Sequence, residues 1–134
     1  MTRQPPCGSP EAARRTRMAR LYLDMAEQAA AMDTEEARNV AAGNAVLAAV
    51  AAADALCCLR LGRYSRGQAH HEAAALLRTI TPGGTRLARD LTTVLAVKDS
   101  AHYGTVFLAA TTVKNVLRAA TRLLEAAEDT LAGA

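Results

Sequence analysis

The side chains best suited to acid–base chemistry lie in a short segment that interrupts the helical pattern, residues 98–104. Histidine is the side-chain type best suited to accept or donate a proton under physiological conditions, and His102 supplies one here. Lys98 supplies a cation that can neutralise a phosphate, and Asp99 follows it directly. Loops carry function more often than core faces do. We therefore predict a candidate catalytic set of His102, Lys98 and Asp99. The neighbouring Tyr103 is a candidate binding residue.

Plain structural interpretations of the same side chains stay open. Lys98 lies at the next position of the apolar stripe after Val94 and would be the last residue of the fourth helix. The helix dipole favours a cation at this C-terminal end. His102 can equally be an ordinary loop histidine.

A carboxylate on an apolar helix face is the next candidate. Asp54 lies about 20° from both Leu47 and Leu61 on a helical wheel. A buried carboxylate must be paired, hydrogen-bonded or protonated. Asp54 is therefore either a structural acid held by an arginine or a capping amide, or part of a polar cluster in a cleft.

A second cation–histidine pair precedes the third helical pattern. Arg66 and His70 are i, i+4 neighbours that share a face if both are helical, and His71 follows. His70 also shares a face with Ala73 and Leu77, which is typical of a core histidine. We predict Arg66, His70 and Asp54 as binding residues near the first set.

The three cysteines offer no recognisable metal or redox motif. Their number is odd, and Cys57 and Cys58 are adjacent within a helical pattern, so we predict no disulfide framework. We expect Cys57 and Cys58 to be small buried thiols. No zinc spacing, phosphate-binding glycine loop or hydrolase motif is found in the sequence. We expect neither a metal nor a cofactor.

Composition indicates one globular domain. The 134 residues are 51% hydrophobic but only 3% aromatic, so the core must be built from Ala, Leu, Val and Met. The net charge of +3 is distributed in blocks: residues 1–20 and 63–98 are each basic, and residues 21–62 are acidic. Such blocks are usually solvated helix faces, but a surface that follows phosphates is also possible. Scarce aromatics argue against a base-stacking platform.

The beginning of the chain predicts a cytoplasmic protein. Residues 1–8 contain prolines and a glycine without an apolar pattern, and we expect a disordered tail rather than a secretory signal. The apolar run 40–61 contains Asp54 and Arg60, and charged groups are costly in lipid. We therefore predict a buried core helix there instead of a membrane span.

The apolar periodicity predicts an all-α compact bundle of about five helices in residues 9–134. The first begins at Ser9-Pro10 and runs to about 32, with an apolar stripe of Met18, Leu21, Met25 and Met32. Asp33 or Thr34 caps the second, which Gly62 ends. Ser65 and Thr85 cap the third and fourth, which end near 80 and 98. The fifth follows a 3.5-residue repeat from 106 to 131.

Three segments resemble the HEPN superfamily, and in particular small actinobacterial HEPN-like proteins with an Ala-His-Tyr-Gly segment. The resemblance covers roughly residues 35–132. It rests on the break before the long last helix, on the stretch 44–54, and on Arg66-Gly67-Gln68-Ala69-His70.

The resemblance implies a helical bundle, usually dimeric, that binds RNA or a nucleotide. Many members cleave RNA without a metal in defence or toxin–antitoxin systems, and some pair with a neighbour-encoded nucleotidyltransferase. Their motif is an Arg, usually followed by a polar residue, with a His a few positions later. Lys98 stands in place of that Arg, and His102 in place of the His. Arg66 with His71 also fits the bare motif, although Gly67 follows the Arg. These departures favour a degenerate site that keeps its polar cleft.

Two other functions remain open from the sequence. The long last helix could bind a protein partner, which would make the chain a non-enzymatic adaptor or antitoxin. A pocket lined by the methionines of the first helix could carry a small ligand, although a methionine stripe at helical spacing is usually core.

Overall fold

The computed structural model of the chain describes residues 3–66 and 70–134. This part of the chain is all-α, as predicted, and contains six helices. They are α1 (Ser9–Ala31), α2 (Glu35–Leu61), α3 (His70–Arg78), α4 (Gly84–Leu95), α5 (Lys98–Tyr103) and α6 (Ala110–Ala132). Residues 67–69, which join Arg66 to His70 in the resemblance and include Gly67, lie outside the described residues.

Local signals set most helix ends. The Thr34 hydroxyl accepts a hydrogen bond from the N–H of Ala37, which caps α2 as predicted. Gly62 ends α2 with φ of +73°, a conformation that glycine adopts without strain. At α1 the cap is Gly8 instead of Ser9, and the carboxylate of Glu11 accepts from the Gly8 N–H. At α4 the cap is Gly83 instead of Thr85.

The central element is α2, which packs against each of the other helices. Its buried residues are mostly alanines, and these let the neighbouring helices approach its backbone closely. The helix is long and apolar enough to cross a membrane by length and composition, but most of it is buried inside the bundle. It is therefore the core helix of a compact fold.

The predicted buried stripe of α1 is wrong. Its inner face is formed by Ala12, Thr16, Ala19, Leu23, Ala26 and Ala29. The four residues that we expected in the core, Met18, Leu21, Met25 and Met32, are between 40% and 69% exposed. Small residues occupy the inner face of α1 because this helix packs closely along α2 and α6. Longer side chains there would hold the helices apart.

The apolar repeat of the last helix packs in the core of the bundle. Val113, Leu123 and Leu124 are buried in the common core, where α6 packs on α2, α4 and α1. The helix begins at Ala110, so Val106 precedes it and is exposed.

The break after α4 is itself a short helix. The fourth helix ends at Leu95 rather than near 98, and Lys98 opens α5. The interpretation of Lys98 as a cation at a helix C-terminus is therefore wrong, and the α5 dipole does not favour its charge.

The N-terminal strap, residues 3–8, is ordered against the end of α2, contrary to the expectation of a disordered tail. Arg3 and Pro6 pair antiparallel with Arg66 and Arg63. Cys7 forms a disulfide with Cys58, and its N–H donates to the Gly62 carbonyl at 3.0 Å. The prediction of a chain without disulfides is therefore wrong: Cys58, expected as a small buried thiol, is bonded to Cys7, whereas Cys57 is free and buried. Spacing alone could not reveal the bond, because its cysteines are 51 residues apart.

Candidate functional site

Three of the predicted site residues meet in one cavity. His70 at the start of α3, and Lys98 and Asp99 at the start of α5, line a hollow of about 530 Å³. His71 and Arg78 of α3 line the same hollow. The cavity thus combines a histidine pair, two cations and one carboxylate.

The charge in this cavity favours a neutral imidazole. Burial lowers the pKa of His70 below its usual value, and the nearby ammonium of Lys98 lowers it further. His70 is therefore deprotonated at neutral pH, so one of its ring nitrogens can accept a proton or a hydrogen bond.

A second cavity of about 520 Å³ adjoins the first, because Arg78 lines both. Arg86 and Arg89 of α4 also line it, together with Gly83 and Thr85. Within residues 3–66 and 70–134, none of these three arginines forms a salt bridge with a carboxylate. We call the continuous surface of His70, His71, Arg78, Arg86, Arg89 and Lys98 the basic strip.

His102 lies against α2 instead of lining either cavity. Its Nε2 atom is 3.3 Å from the carbonyl oxygen of Gly43. A Cβ atom at Gly43 would lie 2.9 Å from two ring atoms of His102, so only glycine leaves room for the ring. Tyr103 is 78% exposed, and its ring makes an edge-on contact with that of His102 at 5.9 Å.

One side chain of α2 ties both ends of the segment that carries His102. The amide of Asn39 donates to the carbonyl of Ser100 at 3.4 Å and accepts from the N–H of Leu108 at 2.9 Å. Asn39 thus holds the segment 100–108 on α2, and it lies before the stretch 44–54 to which the resemblance drew attention. No pattern in the sequence indicated this role of Asn39.

Asp54 lies elsewhere, between α1, α2 and the N-terminal strap. The guanidinium of Arg15 donates to its carboxylate at 2.9 Å. Burial raises the pKa of Asp54 to about 6, although Arg15 opposes that rise. Both residues line a cavity of about 430 Å³ with Pro6, Cys7 and other residues of the strap.

The predicted convergence of Asp54 with Lys98 and His102 is wrong. Asp54 is eleven residues along α2 from Gly43, the residue that His102 contacts, which separates them by about 16 Å along the helix axis. The apolar pattern correctly placed Asp54 in the core, and its role there is the structural ion pair with Arg15.

Arg66 is exposed and lies beside the N-terminal strap, where its N–H donates to the carbonyl of Arg3 at 2.8 Å. The residues that connect it to His70 lie outside the described part, so its proposed pairing with His70 stays a prediction.

Sequence reasoning missed an ion pair between α4 and α6 in which the carboxylate is buried and the arginine is exposed. Asp90 is 6% exposed and accepts three hydrogen bonds from the guanidinium of Arg122. A signal was present: Asp90 is three residues from Leu87 and four from Val94, on the flank of the apolar stripe.

The free cysteine, Cys57, has low reactivity. Burial, with a smaller effect of Asp54, raises the pKa of Cys57 to about 12. Its thiol is therefore protonated at physiological pH and is a poor nucleophile or metal ligand. Across residues 3–66 and 70–134, no group of three or more His, Cys, Asp or Glu side chains is arranged to hold a metal ion.

Comparison of the chain with protein-family models, with curated proteins and with solved structures finds no match.

Proposed function

We propose that the chain is a HEPN-like helical protein that binds RNA or a nucleotide through the basic strip, in a defence or toxin–antitoxin setting in the cytoplasm. The observation that carries the proposal is the pair of cavities joined at Arg78, which six basic or histidine side chains line. The resemblance to the superfamily supports RNA as the polyanion.

The composition of the strip favours contact with phosphates over contact with bases. Arginine guanidinium groups bind phosphate oxygens in a fork, and each neutralised phosphate releases counterions. Among the described residues that line the two cavities, none but the histidines carries an aromatic ring. Binding should therefore depend strongly on salt and weakly on sequence.

The decisive experiment is the binding of a short single-stranded RNA, followed by fluorescence anisotropy at several salt concentrations. The triple variant Arg78→Ala, Arg86→Ala, Arg89→Ala should lose about tenfold or more in affinity, and its salt slope should fall by about 2. The control triple Arg3→Ala, Lys114→Ala, Arg118→Ala removes the same charge from exposed positions on the N-terminal strap and α6. An equal loss in both triples would show that net charge, rather than the strip, binds RNA.

Cleavage would be a further step at the same place. The neutral imidazole of His70 would take the proton of a ribose 2′-hydroxyl, and the 2′-oxygen would bond to phosphorus. The 5′-oxygen would leave with a proton that His71 donates, while Lys98 offsets the charge on the phosphate. The products would be a 2′,3′-cyclic phosphate end and a 5′-hydroxyl end.

This step is checked with purified protein in the presence of a metal chelator. Wild type should yield cyclic-phosphate ends, and His70→Ala and His71→Ala should each abolish them while RNA binding persists. Loss of activity in His102→Ala, with activity retained in His70→Ala and His71→Ala, would instead favour the arrangement that the superfamily motif implies.

A protein partner is the second candidate, because a group of apolar side chains is exposed beside the strip. Tyr103 and Val106 are more than three-quarters exposed, and Phe107 is about half exposed. The apolar face of α6 packs in the core, so an adaptor or antitoxin would have to use this segment instead. Co-expression with the product of the adjacent open reading frame, such as a nucleotidyltransferase, tests the idea. Val106→Asp with Phe107→Asp should abolish co-purification.

A further inference from the structure

The outer face of α1 carries the large apolar side chains that the core does not use. Met18, Leu21, Met25 and Met32 are all exposed, although the first three lie in the middle of a 23-residue helix. We call these four residues the methionine face. Exposed apolar patches of this kind mark interaction surfaces in soluble proteins.

We infer that the methionine face binds the same face of a second copy of this chain, with the two α1 helices antiparallel. This surface lies outside the basic strip and does not depend on the RNA proposal.

The spacing of the face is that of a helix–helix seam. Met18, Leu21 and Met25 are separated by three and four residues, and Gln28 and Met32 continue the same alternation. That 3.5-residue repeat keeps one line of side chains turned toward a partner helix. A two-fold axis requires a surface that matches itself, and a single repeat of similar apolar side chains provides one.

Charge along the outer side of α1 selects the antiparallel orientation. Arg14 and Arg17 lie in its first half, whereas Asp24 and Glu27 lie in its second half. Within the described residues, Arg14, Arg17 and Glu27 form no salt bridge, and Asp24 has a 3.6 Å contact with Arg20. Antiparallel helices place basic halves opposite acidic halves, and parallel helices would place like charges together.

Exposed apolar side chains also occur on α2, the helix against which α1 packs. Leu47 and Val40 are 41% and 55% exposed. The 23 residues of α1 give a seam of about 34 Å.

The test is the mass of the full-length protein in solution, by sedimentation equilibrium over a range of concentrations. Wild type should be a dimer, and Leu21→Glu should be a monomer with unchanged helical circular dichroism. The matched control Thr93→Glu adds the same acid at an exposed position of α4 and should remain a dimer.

Charge reversal tests the orientation. Arg14→Glu with Arg17→Glu should weaken the dimer about tenfold, as should Asp24→Arg with Glu27→Arg. The combination of all four should restore it, because opposite charges face each other again. A monomeric wild type, a dimeric Leu21→Glu variant, or the absence of restoration would overturn the inference. A monomeric wild type would indicate that the methionine face binds a different protein.

Discussion

At the scale of single residues, the contact of His102 with Gly43 fixes the position of α5. The imidazole ring occupies space that any larger residue on α2 would fill. Alanine normally stabilises a helix interior relative to glycine by about 1 kcal/mol. The absence of a side chain at this buried position of α2 therefore reflects the ring above it.

The substitution Gly43→Ala should lower the free energy of unfolding by about 1–2 kcal/mol, because the ring of His102 must move. It should also speed amide exchange in α5. In a His102→Ala background the same substitution should raise the free energy of unfolding, because the obstacle is gone and alanine favours the helix. Urea denaturation of the four proteins measures this, and an identical effect in both backgrounds would contradict the contact.

Asp54 makes the stability of the protein depend on pH in an unusual direction. Its pKa is raised from 3.8 to about 6, so the native state favours the protonated form. The stability from this group is fully present below pH 3.8 and is lost as the pH rises through about 6. The ionised carboxylate is thus a cost at neutral pH, which the ion pair with Arg15 only partly offsets.

The substitution Asp54→Asn should therefore stabilise the protein above pH 7 by up to about 3 kcal/mol. Its carbonyl can still accept from Arg15, whose side chain is 38% exposed and remains solvated. The difference from wild type should shrink toward zero at pH 4. Thermal denaturation across this range is the measurement. A variant less stable than wild type at neutral pH would mean that the ion pair outweighs the cost of burial.

At the scale of elements, the N-terminal strap is held to α2 by a covalent bond as well as by hydrogen bonds. The Cys7–Cys58 disulfide links residues 51 apart, and closing so long a loop in the unfolded chain costs about 4 kcal/mol of conformational entropy. In a reducing cytoplasm this bond would be kept open. The strap would then be held by its backbone pairing and by the hydrogen bond that Arg63 donates to the side chain of Gln4.

The substitution Cys7→Ser should lower the free energy of unfolding by about 2–4 kcal/mol relative to the oxidised protein, and by little relative to the reduced protein. The oxidised native protein should show no thiol reactive toward a maleimide, because Cys57 is buried with a raised pKa. A reactive thiol in the oxidised native state would contradict this pairing.

The element scale also shows what the sequence could and could not predict. Periodicity and caps predicted the fold class, and they placed the ends of α2 to within a residue because Thr34 and Gly62 act locally. The inner face of α1 could not be predicted by hydrophobicity. Alanine and methionine are both apolar, and the choice between them depends on how closely α2 and α6 approach. The meeting of His70 with Lys98 also depends on how separate helices pack.

At the scale of the whole molecule, the basic strip and the methionine face lie on different parts of the bundle. The strip is carried by α3, α4 and α5, whereas α1 packs on α2 and α6. A dimer formed through α1 leaves the basic strip of each copy open. It also doubles the number of strips that one long RNA can touch, which raises the apparent affinity without any new contact.

The length of the RNA should therefore separate the two proposals. For a short RNA that fits one strip, Leu21→Glu should bind as wild type does, within about twofold, because the strip is untouched. For an RNA long enough to span both strips, the same variant should lose about tenfold or more, because the second binding event is no longer intramolecular. The Arg78, Arg86, Arg89 triple should remain a dimer yet bind neither RNA well. Equal losses on short and long RNA in Leu21→Glu would show that the two surfaces are not independent, and that α1 itself contributes to the RNA site.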